Sequence, residues 1–158
     1  MKPVLQAILL ADHVYQDRET GKMIIAGTFD AYAWKAPVAT ELGTRITPVE
    51  HEAAGRRFRM IPGVRSGSPT AYLNLTDVHG EVGLVLRYAD LTDNSILLEV
   101  EIRVNCEDPL QSIELAIPLP ELPIPHPGVY AIELLYGNEW LGSHRVRVIS
   151  LKGKENKE

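Results

Sequence analysis

Residues 96–104, "ILLEVEIRV", alternate apolar and charged side chains. Leu98, Val100, Ile102 and Val104 share one parity, and Glu99, Glu101 and Arg103 share the other. Successive side chains of a β-strand point to opposite sides, so this period of two predicts a strand with one dry face and one wet face. The pattern recurs on both sides. Ile113, Leu115, Ile117 and Leu119 share a face, as do Ala71, Leu73 and Leu75 in "TAYLNLTD". No long segment holds the 3.6-residue repeat of an amphipathic helix.

Glycine, asparagine and proline punctuate these runs. "DVHGEV" (77–82), "DLTDNS" (90–95) and "YGNEW" (136–140) read as tight turns, because Gly and Asn tolerate the positive φ that such turns need. The first and last of these are expected to close hairpins, and "CEDPLQ" (106–111) to form a longer turn. "VLQAILLADHVYQD" and "KMIIAGTF" read as two strands joined by "RETGK". Both are apolar on both faces for much of their length, so both are expected centrally, covered on each side. Asp12 has the parity of Leu10 and His13 that of Ala11, so the two point to opposite faces and form no dyad. "PLPELPIPHPG" (118–128) lacks the N–H groups of a central strand and is expected to cross from one sheet to another.

Two stretches stand apart. Residues 36–68 have weak periodicity and carry five arginines against three glutamates, a local excess of +2 that leaves −7 for the rest of a chain of net charge −5. Long irregular connections in compact domains are uncommon and often functional. The tail 151–158, "LKGKENKE", has the composition of a disordered end. The expected organisation is a single domain over 1–150. Its class is all-β: an immunoglobulin-like or related antiparallel β-sandwich of about eight strands, with one long irregular insertion at 36–68.

Leu9 to Asp12 in "AILLADHVYQDRETGKMIIAGTF" and Pro127 to Tyr130 in "PIPHPGVYAIELLYGNEWLGSHRVRV" resemble an uncharacterised family of small bacterial domains. Its members open with a "LLAD"-type strand and hairpin and close with a Pro-Gly-x-Tyr entry into a final hairpin. The resemblance implies a β-sandwich and no particular activity. Residues 36–68 are longer than the corresponding part of that pattern.

The chemistry-bearing residues are dispersed. There is no G-x-S-x-G elbow and no phosphate-binding glycine loop. One cysteine, Cys106, excludes an internal disulfide and leans towards a reducing, cytoplasmic setting. It sits at the end of the 96–104 strand, is expected on its wet side, and has no histidine tied to it. His13, His51, His79, His126 and His144 lack metal-ligand spacing, so no metal or cofactor is expected. Asp90, Asp93 and Asn94 in "YADLTDN" superficially suit calcium, but they are also ordinary turn residues, and the turn reading is preferred. Asp12 is expected to have a structural role, capping its strand or pairing with an arginine.

The sequence thus favours binding over catalysis. Net charge −5 argues against a nucleic-acid partner, and no stretch is long and apolar enough to cross a membrane. "GRRFRMIPGVR" is the expected recognition element, with Arg56, Arg57, Phe58, Arg59 and Arg65 meeting a protein partner or a second copy. The alternative is a small-ligand or carbohydrate module built on Tyr32, Trp34 and Trp140. An enzyme of unrecognised type is the third possibility.

Overall fold

The computed structural model describes residues 1–34, 49–53, 56–60 and 68–150. Every regular element in them is a strand. There are eleven: β1 (Val4–Gln16), β2 (Met23–Thr28), β3 (Ala31–Trp34), β4 (Val49–Ala53), β5 (Arg56–Met60), β6 (Thr70–Thr76), β7 (Gly80–Asp90), β8 (Ser95–Cys106), β9 (Ile113–Pro118), β10 (Gly128–Tyr136) and β11 (Glu139–Ser150). They form a four-stranded sheet of order β2-β1-β6-β9 and a seven-stranded sheet of order β3-β11-β10-β7-β8-β5-β4. The expected all-β sandwich is what the chain builds.

The core lies where the dry parities of the two sheets meet. Leu10, Ala71, Leu73, Leu75 and Ile117 come from the smaller sheet. Leu84, Leu86, Tyr88, Leu98, Val100, Ile102, Tyr130, Ile132 and Val146 come from the larger. Each fully buried large apolar side chain is worth roughly 1.5–3 kcal/mol against exposure. Tyr88 and Tyr130 stack inside, with centroids 5.4 Å apart and planes 18° apart.

Consecutive strands pair antiparallel within a sheet at β1–β2, β4–β5, β7–β8 and β10–β11. The proline-rich segment 119–127 crosses from β9 to β10, as its missing N–H groups require. The "DVHGEV" segment is not a hairpin but another crossing, from β6 to β7. Asp77 (φ 56°) and Gly80 (φ 64°) use the left-handed region to turn the chain between sheets, so turn chemistry there did not reveal which strand follows.

Two further expectations change. β2 is an edge strand rather than a central one, because its hairpin partner β1 pairs with β6 on its other side. On β1 itself, Leu10 and Ala11 point to opposite faces and both are fully buried. The 36–68 stretch is not irregular throughout. It supplies β4 and β5, which extend the larger sheet beyond β8. Arg65 and the tail 151–158 lie outside the described residues.

Candidate functional site

The outer face of the seven-stranded sheet has two unlike halves. Across one row, the register sets Glu133 opposite Arg87, Arg87 opposite Glu99, Glu99 opposite Arg59, and Arg59 opposite Glu50. Charge thus alternates across β10, β7, β8, β5 and β4. Cross-strand pairs of opposite sign stabilise by a few tenths to about 1 kcal/mol each. Arg87 Nε donates to Glu133 Oε2 at 2.7 Å, with both side chains largely covered. One row on, Arg57 stands opposite Glu52. The sequence-predicted arginines therefore fall on paired strands. Arg57 and Arg59 have acids in register, Arg56 stands opposite Ala53, and Phe58 stands opposite core residue Val100.

The other half of the face is apolar and bordered by cations. Arg145, Ala131, Ala89 and Ile96 are in register across β11, β10, β7 and β8. Beside them, Ala31, Arg147 and Val129 form the next row, and Ala33 lies beside Ile149. Ile96, Val129 and Ile149 are 40%, 38% and 48% exposed, above a floor of buried Ala89 and Ala131. The outward residues of edge strand β3 are alanines, too short to cover Arg147 and Ile149. Arg145 and Arg147 are exposed and have no ion-pair or hydrogen-bond partner for their side chains among the described residues. Nothing in the sequence reading singled out this group. Its members come from five strands, and only the register assembles them.

The aromatic candidates are not brought together. Tyr32 and Trp34 lie on β3 against the core, and Tyr32 leans on Phe29 at 4.7 Å. Tyr32 is in register with Val148 near the end of β11, whereas exposed Trp140 is the second residue of that strand. Eight residues of extended chain separate the two levels by roughly 26 Å.

A buried polar group passed over as a site residue lies at one end of the sandwich. Asp90 is 1% exposed. Its Oδ1 accepts the Thr92 N–H at 2.9 Å, and its Oδ2 lies 2.5 Å from Nε2 of half-exposed His126. His126 Nδ1 faces the Pro127 carbonyl at 2.8 Å. With acceptors at both ring nitrogens, the imidazolium is favoured. The Pro127 carbonyl and the charges of Asp90 and Asp93 raise its pKa, against the opposing effect of burial. Tyr130 Oη donates to the His126 carbonyl at 2.5 Å. Asp93 accepts the Ser95 N–H, and Asn94 has φ 59°, so the acids of this turn serve backbone and histidine. Among the described residues no group of three or more His, Cys, Asp or Glu could hold a metal ion.

Cys106 is buried, 5% exposed, with Sγ 3.0 Å from the Asp108 carbonyl oxygen. It has the parity of Val104 and Ile102, so it continues the dry face rather than the wet one. Asp12 is exposed and neither caps a strand end nor pairs with an arginine among the described residues. Its carboxylate occupies the space that a Cβ on Gly27 would take. His13 is in register with Ala26.

Residues 6–149 match the model of a family described as a family of unknown function (DUF6941), in keeping with the resemblance read from the two ends of the sequence. No curated protein matches the chain.

Proposed function

The chain belongs to the DUF6941 family, and from its geometry we propose that it is a non-catalytic protein-interaction module. The observation that carries this reading is the outer face of the larger sheet. There an exposed apolar stripe adjoins two arginines that are unpaired among the described residues, while the neighbouring half sets acids and arginines opposite one another in register. Guanidinium groups beside apolar anchors are a composition that binding surfaces favour.

The framework supports the same reading. The β6–β7, β8–β9 and β9–β10 connections change sheets, and β3 runs parallel to β11 beside an otherwise antiparallel sheet. Tyr130 closes the β9–β10 corner by bonding four residues back. Such connections and a tyrosine corner are features of immunoglobulin-like sandwiches, which present faces and loops to partners. A bacterial cytoplasmic setting fits the lone buried thiol.

A native mass spectrum of the protein purified gently from its own host tests this. A mass increment equal to another protein chain supports the module reading. A bare monomer at every concentration overturns it. The small-ligand reading keeps one specific support. Trp34 Nε1 and the Tyr88 hydroxyl are buried without a hydrogen-bond partner among the described residues. A small added mass in the same spectrum would favour it instead.

A further inference from the structure

Resting on the interaction reading, we infer that the β11–β10–β7–β8 half of the outer face receives an extended acidic segment of a partner protein. The segment would carry carboxylates at alternate positions and an apolar side chain beside them. Arg145 and Arg147 share one face of β11, two residues apart, which is roughly 6.8 Å along a strand. Carboxylates at positions i and i+2 of an extended peptide have the same repeat. A segment lying along β11 therefore meets both guanidinium groups at once, and each can bind a carboxylate through two N–H groups. Ala31 and Ala33 leave the outer side of this track open. On its inner side, Val129 and Ile96 offer exposed apolar area over Ala131 and Ala89.

Charge selects this occupant. Among the described residues, no acidic residue stands in the rows that hold Arg145 and Arg147, and neither guanidinium group has an ion-pair partner. A second copy docked face to face about a two-fold axis would set this cationic patch against itself, within two chains that each carry −5. Nucleic acid would satisfy the arginines, but a chain of net charge −5 repels a polyanion beyond the patch.

The test is an amide chemical-shift titration of the full chain with the blocked pentapeptide Glu-Leu-Glu-Phe-Glu. Its Lys-for-Glu counterpart and a thymidine oligonucleotide serve as comparisons. The expected result is a set of shifts confined to Ala89, Ile96, Val129–Ala131 and Arg145–Ile149, with the acidic peptide alone. The double variant Arg145→Glu/Arg147→Glu should weaken that binding at least about tenfold, some 1.4 kcal/mol. Arg145→Gln/Arg147→Gln gives the same loss without charge reversal, should the first variant fold poorly. Shifts elsewhere on the molecule, equal binding of the basic peptide or the oligonucleotide, no binding near 10 mM (about −2.7 kcal/mol), or indifference to both variants would each overturn the inference. A host complex that survives either double variant would also overturn it, leaving the module reading intact. Absence of any host complex from the unmodified protein would remove that reading, and the peptide result would still decide the site.

Discussion

The buried carboxylate of Asp90 and the half-exposed imidazole of His126 meet at 2.5 Å, tying the end of β7 to the proline-rich crossing into β10. A carboxylate in that position requires a partner. Because the folded state raises the His126 pKa, this contact adds stability in full below about pH 6.5, the ordinary histidine value, and loses it as pH rises through the folded value. Denaturant unfolding at rising pH should show that loss, and His126→Gln should abolish this part of the pH dependence. His126→Ala should cost about 1–3 kcal/mol, moderated by water reaching the exposed side of the pair. A folded His126 pKa at or below the ordinary value, measured by NMR, would contradict this account.

Gly27 and Asp12 are matched on the β2–β1 hairpin. Gly27 has φ 72°, and a Cβ there collides with the Asp12 carboxylate. Gly27→Ala should destabilise by more than about 1 kcal/mol, from the left-handed backbone and the collision together. Asp12→Ala removes only the collision. A double-mutant cycle should therefore show the pair costing less than the sum of the singles. Additive costs would mean that the collision is relieved elsewhere.

Two stacked tyrosines should respond oppositely to loss of their hydroxyls. Tyr130→Phe deletes the bond to the His126 carbonyl and should cost about 1 kcal/mol. Tyr88→Phe removes a buried hydroxyl with no partner among the described residues and should be neutral or stabilising. Thermal unfolding of the two variants side by side distinguishes them.

Glu99 stands between Arg87 and Arg59 in the charge row. Glu99→Lys sets like charges opposite on both sides. It should destabilise by about 1 kcal/mol at low salt and by less at high salt. A salt-independent cost would point to packing instead.

Cys106 is enclosed by the strand end and the turn that follows it. A thiol reagent should label it slowly in the native protein and at once in denaturant. Fast native labelling would show that this end opens.

Much of the architecture was legible because period-two alternation is a local property. "ILLEVEIRV" and "TAYLNLTD" declared their inward parities, and Leu98, Val100, Ile102, Ala71, Leu73 and Leu75 are buried as that parity requires. The proline-rich crossing was equally local, since missing N–H groups are a property of the residues themselves. Strand neighbours were not legible. Whether "DVHGEV" returns within a sheet or leaves it depends on which partner β7 finds, and "RRFRM" becomes a strand by pairing with β8. The candidate face shows the same limit. Arg145, Arg147, Val129 and Ile96 are spread over fifty residues of chain, and only the register of four strands sets them side by side. Side-chain alternation and backbone chemistry are written in the sequence; partner choice and register are set by non-local hydrogen bonds and packing, which the tertiary structure alone decides.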